Sequence, residues 1–248
     1  MDQIFTRHRF DVRRRTLSLR DKSYLTPRMI RLVLEGEDLA DFTSLSPDDH
    51  IKLIFPTGTD RPAMRDYTPR AFDRAERTLT LDFAVHEAGP ATRWALDARP
   101  GDRLEIGGPR GSQVVTAAFD WWLLIADETG LPALGRRVEE LGADTKVITL
   151  GLVADAAEEQ RFVTRAEHEA HWLHRGTHSA DPAPALAAAG QIVLPAGGRG
   201  FIWIAAEAGV ARALRDHFAG PRSHPRGWIK AAGYWIEGQA DASDKTLD

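Results

Sequence analysis

The chain has 248 residues, of which 43% are hydrophobic and 27% charged, and it contains no cysteine. This length suits one or two globular domains, and the missing thiols exclude disulfides, cysteine nucleophiles, thiolate zinc sites and cysteine-ligated iron–sulfur clusters. The formal net charge of −4 gives no reason to expect nucleic acid or an anionic membrane as a partner.

Positive charge is concentrated in residues 1–31, which hold nine Lys or Arg residues against three acids. The run Arg13-Arg14-Arg15 could act as a nucleic-acid-binding arm, but it leads directly into a strand-like pattern, and we favour a solvated strand edge. No apolar run approaches the 18 residues of a membrane span, and the N-terminus lacks the apolar region of a signal peptide. We therefore expect a soluble cytoplasmic protein with no membrane or nucleic-acid partner.

Short strands are predicted along the first 117 residues. Apolar and polar residues alternate with a period of two in Met29–Leu34, Ile51–Phe55 and Leu79–Val85. Turn signals such as Ser46-Pro47-Asp48 and Pro100-Gly101-Asp102 separate these strands. The spacing and the turns together predict a small antiparallel β-barrel.

A different pattern begins near residue 120. Trp121–Ala126 is a continuous apolar run, a helical pattern follows from Leu131 and stops at Gly142, and Lys146–Val153 is the next strand. Strand, helix and strand within about 30 residues predict a parallel sheet. Phe201–Ala205 and its following helix, with Val210, Leu214 and Phe218 on one face, repeat this arrangement, and Pro182–Gly190 is predicted as a short helix and connector. The boundary between the two domains is expected near Thr116–Asp120, which gives domains 1–117 and 118–248.

Several common types of site are missing from the sequence. It has no GxxxxGK[ST] loop, no GxGxxG fingerprint and no GxSxG elbow. Four histidines, His168, His171, His174 and His178, suggest a metal site. However, His168-Glu169-Ala170-His171 is one residue short of HExxH. We predict no metal here, and instead a solvated helix that leads into a strand at Trp172–Arg175.

Three short segments have chemistry suited to a dinucleotide. The first, Arg65-Asp66-Tyr67-Thr68-Pro69, offers a guanidinium for a diphosphate and a ring for stacking; the alternative is a strand end with a packed Tyr and a surface Arg. The second is the string from His86 to Ala95, where a Gly-Pro turn precedes a helix. We predict Thr92 as the N-cap of this helix, whose amides would face a diphosphate; the alternative is an ordinary capped helix.

The third segment is Asp127-Glu128-Thr129-Gly130-Leu131-Pro132, between the apolar strand and its helix. Gly130 and Pro132 suit a tight turn and a helix start. The segment lies at the carboxyl end of a predicted parallel strand, where ligands bind in such sheets.

In this order, the segments resemble the ferredoxin reductase superfamily, whose barrel binds flavin and whose α/β domain binds NAD(P)H. More narrowly, the chain resembles the siderophore-interacting protein family of FAD-dependent ferric-siderophore reductases. The matching residues span most of the chain: Thr26-Pro27-Arg28-Met29, Arg31, Arg65-Asp66-Tyr67-Thr68, Asp82-Phe83, His86, Gly89-Pro90-Ala91, Trp94-Ala95, Pro100-Gly101-Asp102, Gly108-Pro109-Arg110-Gly111-Ser112, Asp127-Glu128-Thr129, Pro132-Ala133, Trp172-Leu173-His174-Arg175, Ala206-Glu207-Ala208 and Gly233-Tyr234-Trp235.

The resemblance implies a role for each matching site residue. It places Arg65 on the FAD diphosphate, Tyr67 against the isoalloxazine and Thr68 near its reactive nitrogen, with Asp82 and Gly89 in the same cofactor-binding set. It further implies that His86, Ala91 and Thr92 hold the ribityl-diphosphate, that Asp127, Glu128 and Thr129 receive the nicotinamide nucleotide near Glu207, and that Trp235 covers the flavin. Substrate binding is expected from Lys52, whose alternative is a surface strand lysine, and from Lys230, because Ile236 stands where the family usually has Arg.

The implied reaction passes electrons from NADH or NADPH through FAD to a ferric siderophore and releases Fe(II). A hydride carries two electrons and Fe(III) accepts one, so a flavin is needed as converter, and no residue need act as acid or base. Two alternatives stay open: a flavin reductase of the same fold with another acceptor, and a non-catalytic ligand-binding module. Asp155 could favour NADH and Arg161 NADPH, a ferredoxin could be the donor, and we expect a monomer.

Overall fold

The structure is a computed structural model that describes residues 4–57, 61–86, 89–116, 118–176, 179–239, 242–244 and 247. The chain divides into two compact units, Met1–Ala117 and Ala118–Asp248. Within the described ranges, no helix has both the length and the apolar run that a membrane span needs.

Antiparallel strands and a helix build the first unit. In chain order its elements are β1 (Phe5–Arg9), β2 (Arg14–Thr26), β3 (Met29–Glu35), β4 (Ile51–Phe55), β5 (Ala63–Tyr67), β6 (Ala71–Asp73), β7 (Thr78–Ala84), α1 (Pro90–Asp97), β8 (Arg103–Gly107) and β9 (Gly111–Val115). Among the described residues, seven strands form a sheet in the order β5-β4-β8-β2-β3-β7-β6, and β1 pairs with β9. The antiparallel strands predicted for this part of the chain are confirmed.

The alternating residues of these strands point into one core. Leu17 and Leu19 of β2, Ile30 of β3, Leu53 of β4 and Leu81 of β7 are almost fully buried in it. Residues between them face outward, because successive side chains of a strand point to opposite faces of a sheet. The apolar residues of the period-two pattern are therefore the ones on the inner face of this sheet.

The basic start of the chain is bound to acids of the same unit. Arg15 is 7% exposed and donates to Oδ1 of Asp41 at 2.9 Å, while Arg13 also pairs with Asp41. Arg14 pairs with Glu105 at 3.0 Å. The hydrogen bond from Arg15 is the main reason why the pKa of Asp41 is lowered. The prediction of a solvated edge is therefore wrong for Arg15, because its guanidinium also finds backbone carbonyls inside the unit.

The second unit is an α/β structure. In chain order its elements are β10 (Trp121–Asp127), α2 (Leu131–Glu140), β11 (Lys146–Val153), β12 (Glu167–His174), α3 (Pro182–Gln191), β13 (Gly200–Glu207), α4 (Ala208–Ala219) and β14 (Ile229–Trp235). The strands are all parallel in the order β12-β11-β10-β13-β14. Helices α3 and α4 pack on the face that carries Leu123 and Ile204. On the other face, Arg137 of α2 lies 4.8 Å from the ring centroid of Trp122. The predicted parallel sheet is confirmed.

The helix predicted before Trp172 is wrong. Strand β12 begins at Glu167 and pairs in register with β11 from Lys146 onward. Its polar residues are those of a sheet edge: His171 bonds Glu169, His174 bonds Glu159, and His168 bonds Thr149. His178 lies outside the described residues.

Glycines make room for two tryptophan rings against the parallel sheet. A Cβ on Gly151 of β11 would stand 2.1 Å from Cζ3 of Trp172, and a Cβ on Gly200 of β13 would stand 2.0 Å from Cζ2 of Trp121. Such separations are impossible for carbon atoms, so each glycine is paired with its neighbouring indole.

We expect Gly151→Ala to lower the free energy of unfolding by about 3 kcal/mol, because the methyl group must displace an indole ring that the surrounding packing holds. Gly142→Ala is the matched control, since its Cβ would meet no atom within 4 Å, and it should change the free energy of unfolding by no more than about 1 kcal/mol. Denaturant titration followed by circular dichroism measures both. Equal stability of the two variants would contradict the proposed packing.

Candidate functional site

The strand order of the second unit indicates where a ligand would bind. Leaving β10, the chain runs first through β11 and β12 on one side, and then crosses to β13 and β14 on the other. In open parallel sheets, ligands bind outside the carboxyl ends of the two strands where this reversal occurs. Here those ends are Asp127 of β10 and Glu207 of β13.

The carboxylate of Asp127 ties this edge of the sheet together. The amide and hydroxyl of Thr129 donate to its Oδ1 at 2.9 and 2.6 Å. The amide of Glu207 and the indole Nε1 of Trp235 donate to its Oδ2 at 2.9 and 2.8 Å. We call these four residues the Asp127 cluster. Because Asp127 is 1% exposed and already accepts four hydrogen bonds, its evident work is to position the other three residues.

Glu207 in turn begins the next helix. Its Oε2 accepts from the amides of Gly209 and Val210, at 2.5 and 3.0 Å, and so caps α4. A carboxylate at a helix N-terminus also interacts favourably with the helix dipole. The structure thus brings together four of the residues that the sequence assigned to the two nucleotides, and their contacts with those nucleotides stay predictions.

Glu128 lies beside this cluster and pairs with a residue that the sequence analysis did not assign. Its partner Arg175 follows β12, is 8% exposed at the side chain, and also donates to the carbonyls of Leu152 and Ser179. Burial raises the pKa of Glu128, and the charge of Arg175 opposes that rise. The matching Trp172–Arg175 motif was the signal available for Arg175.

The sequence left the choice between NADH and NADPH open, with Asp155 and Arg161 as the two candidate residues. Asp155 follows β11, and its side chain accepts from the amide of Ala157 to cap a 3-10 turn over Ala156–Glu158. Arg161 is exposed and lines a groove of about 550 Å³ with Phe162, His168 and Trp172.

In the first unit, the residues predicted for a diphosphate and a ring lie at the end of β5. Tyr67 packs on Phe83 with ring centroids 4.3 Å apart, and burial strongly raises the pKa of its phenol. Arg65 lies on the same strand two residues earlier and donates to the carbonyl of Met64 at 2.9 Å. Thr68 follows and is buried. The segment therefore presents a fixed neutral aromatic ring next to a guanidinium.

The predicted N-cap of α1 is wrong. The cap is Gly89, which offers no side-chain hydrogen bond, and Pro90 begins the helix. Proline fits this first position because its missing N–H would have no partner there. Thr92 instead lies inside the first turn, close to Ala91. His86 is exposed just before this stretch, and Glu87 and Ala88 lie outside the described residues.

Thr92 carries the clearest sign of a missing partner. Its side chain is 1% exposed, and its Oγ1 has no hydrogen-bond partner. A buried unsatisfied hydroxyl costs about 1–3 kcal/mol, and the amides of a first helical turn likewise lack intrahelical acceptors. An oxygen-rich ligand such as the diphosphate of FAD would satisfy both, so the residues present fit this group.

The carboxylate of Asp82 pairs with two arginines. Nε and Nη2 of Arg31 donate to its two carboxylate oxygens at 2.7 and 2.8 Å, and Arg70 Nε lies 3.6 Å from Oδ2. The side chain of Asp82 is 1% exposed. It therefore holds two guanidinium groups in place, and a direct contact of Asp82 with a cofactor stays a prediction.

The two lysines predicted for substrate lie in different units. Lys52 of β4 pairs with Asp66 of β5, with 2.7 Å between Nζ and Oδ1. Lys230 of β14 is half-buried and stands next to Trp203 of β13. Ile236, where the family usually has Arg, follows β14 and accepts a backbone hydrogen bond from Gln239.

Comparison with known proteins places these features in a family. The model of the "Siderophore-interacting FAD-binding domain" matches residues 18–60 and 57–113, and the model of the "Siderophore-interacting protein" matches residues 119–238. Together they cover both units.

Individual relatives agree with this assignment over nearly the full length. The chain is 35% identical over 250 residues to the NADPH-dependent ferric-chelate reductase of Escherichia coli, covering 92% of this chain and 95% of the relative. A crystal structure of a siderophore utilization protein from T. fusca superposes with a TM-score of 0.89 at 36% identity, covering 98% of this chain and all of the other. The siderophore-interacting protein SipS of Aeromonas hydrophila gives a TM-score of 0.81 at 27% identity, with 94% of each chain covered.

The predicted fold class is therefore confirmed, and the chain belongs to the siderophore-interacting protein family.

Proposed function

We propose that this protein is an NAD(P)H-dependent, FAD-containing ferric-siderophore reductase. The observation that carries the proposal is the buried, unsatisfied hydroxyl of Thr92 within the part of the chain that matches an FAD-binding domain. The E. coli relative, an NADPH-dependent ferric-chelate reductase, supports the same reaction class. We propose residues 1–117 as the FAD-binding domain and residues 118–248 as the NAD(P)H-binding domain.

The proposed reaction balances without any acid or base from the protein. One NAD(P)H and two ferric chelates give one NAD(P)⁺, one proton and two ferrous chelates. When bound, FAD supplies the exchange between a two-electron hydride donor and a one-electron acceptor. Hard oxygen donors of a siderophore hold Fe(III) more strongly than Fe(II), so reduction weakens the chelate.

The chain's own residues have the tasks of binding and orientation. Thr92 and the first turn of α1 would hold the diphosphate with Arg65, and Tyr67 would provide a flat surface for the isoalloxazine. The Asp127 cluster would shape the nicotinamide-nucleotide site, and Trp235 would cover the flavin with its indole fixed by Asp127. Lys52 and Lys230 would attract an anionic chelate. NAD(P)H as donor fits a reaction in the cytoplasm, and we propose that the protein acts there as a monomer and that a ferredoxin can serve as a second donor.

We expect the purified protein to carry one FAD, to lose its yellow colour anaerobically with NADPH or NADH, and to regain it faster when a ferric siderophore is added. Stopped-flow absorbance with each nucleotide, followed by catecholate, hydroxamate and carboxylate ferric chelates, measures these steps. Flavin that is reduced but not reoxidised by any ferric chelate would point to another acceptor. If the purified protein releases no flavin on unfolding, the proposed FAD-dependent function is wrong.

We expect Thr92→Val to weaken FAD binding about tenfold, because valine has the same shape but no hydroxyl for the cofactor. The same change should leave the flavin-free protein equally stable or more stable, since the hydroxyl has no partner within the chain.

Thr149→Val is the matched control for Thr92→Val. Thr149 is a buried threonine of the second unit, and its hydroxyl forms a hydrogen bond with His168 of the same unit. Loss of this hydroxyl should therefore lower stability and leave FAD affinity unchanged. Flavin fluorescence titration and thermal unfolding of both flavin-free proteins separate the two effects. A Thr92 variant that loses stability but keeps full FAD affinity would assign Thr92 to folding alone.

We expect Asp127→Asn to raise the KM for NAD(P)H about tenfold and to lower the free energy of unfolding by about 2–4 kcal/mol. The amide keeps one acceptor oxygen and points an NH₂ group at donors that need an acceptor. Asp181→Asn is the control, because Asp181 is exposed and its side chain accepts from the amide of Ala183 at the start of α3. Steady-state kinetics and denaturant titration measure both variants, and equal effects would contradict a central role for Asp127.

A further inference from the structure

One carboxylate at the carboxyl ends of the parallel strands keeps an acceptor oxygen that the chain itself does not use. Asp127 accepts four hydrogen bonds, and Glu207 caps α4. Glu128 differs from both, because Arg175 holds its Oε2 and, in the part of the chain that the structure describes, no other residue donates to its Oε1. Since 22% of the Glu128 side chain is exposed, this oxygen is available to a ligand.

Arg175 holds Glu128 and has little left for a ligand. All three of its guanidinium nitrogens donate to oxygens of the chain: Nη2 to Glu128, Nε to the carbonyl of Leu152 at 3.3 Å and Nη1 to that of Ser179 at 3.0 Å. Its side chain is only 8% exposed, so a ligand here meets the carboxylate of the pair before the guanidinium. Arg175 is therefore a positioning residue for Glu128.

The pair lies on the β11 side of β10. Glu128 follows β10, Leu152 is next to last in β11, and Arg175 follows β12, so the pair spans the carboxyl ends of these three strands. In doubly wound sheets the diphosphate lies at the N-terminus of the helix after the first strand, here α2, and the adenosine ribose lies toward the end of the second strand. Glu128 is thus on the side of the crevice where the adenosine ribose of NAD(P)H is expected.

A carboxylate beside that ribose distinguishes the two nucleotides. NADH has a hydroxyl at the 2′ position, which donates to a carboxylate oxygen, whereas NADPH has a phosphate there, which offers only acceptors and negative charge. Two like charges at hydrogen-bond range repel each other strongly in a partly buried site. The oxygen that binds one nucleotide therefore rejects the other.

We infer that Glu128, held by Arg175, selects NADH over NADPH at the 2′ position of the adenosine ribose. This inference rests on the proposed function and deepens it by naming the electron donor. It also sets the chain apart from its E. coli relative, which is NADPH-dependent. Two residues compete for this role: Asp155 is a second acid that would select NADH, and Arg161 is a cation that would select NADPH.

The test measures binding separately from turnover. Tryptophan fluorescence of the oxidised, FAD-loaded protein is titrated with NAD⁺ and NADP⁺ at about pH 8, where the carboxylate is ionised. We expect the natural protein to bind NAD⁺ about tenfold more tightly than NADP⁺. Glu128→Gln should tighten NADP⁺ about tenfold and weaken NAD⁺ about threefold, because the amide keeps an acceptor oxygen but loses the charge. The fragments 5′-AMP and adenosine 2′,5′-bisphosphate, which lack nicotinamide, should show the same change of preference.

Four further variants separate position, charge and the competing residues. Arg175→Lys keeps the positive charge but loses the three-way hold on Glu128; it should weaken NAD⁺ about threefold while NADP⁺ is still rejected. Asp155→Asn and Arg161→Gln should leave the preference unchanged. Glu139→Gln is the control for net charge, because Glu139 is an exposed acid in the last turn of α2, and it should change neither affinity.

The outcomes separate the inference from the proposed function. A natural protein that is reduced by both nucleotides but prefers NADPH overturns the inference alone, and this result needs no variant to fold. So does an unchanged preference in Glu128→Gln, or a reversal by Asp155→Asn or Arg161→Gln. If Glu128→Gln alters the preference between the dinucleotides but not between the two adenosine fragments, the assignment to the adenosine ribose is wrong. If neither nucleotide reduces the FAD, the proposed function fails, and the inference with it.

Discussion

The second unit depends on the carboxylate of Asp127. It accepts four hydrogen bonds from residues at or just beyond the carboxyl ends of β10, β13 and β14, and so fixes the turn before α2, the start of α4 and the indole of Trp235. Loops follow the carboxyl ends of parallel strands, and strand pairing does not determine the conformation of those loops. A buried acid with several donors supplies a constraint on those loops that strand pairing does not provide.

Among the described residues, some buried polar groups are satisfied by the chain itself and others have no hydrogen-bond partner. Asp127 and Asp82 are saturated by donors from the chain itself, whereas the hydroxyl of Thr92 is buried with no partner. Burying an unsatisfied hydroxyl costs free energy, and we propose that a bound ligand oxygen offsets this cost at Thr92. The satisfied carboxylates, by contrast, hold neighbouring parts of the chain in place. A sequence motif does not distinguish a satisfied polar residue from an unsatisfied one. The contacts in the structure do.

Local patterns predicted most strands and helices, because burial leaves a mark in the sequence. Burial of one face imposes a period of two along β3, and burial of both faces gives the continuous apolar run of β10. They failed where a single partner decides the outcome. Arg15 is buried because Asp41 lies nearby in space, and β12 is a strand because β11 offers it an edge, although its residues are polar. Thr92 was predicted as a cap from its residue type, while the Gly-Pro pair had already begun the helix. Asp127 and Thr129 of the Asp127 cluster were identified from their place after a predicted parallel strand. Glu207 and Trp235 are distant from them in the chain and came from the family resemblance.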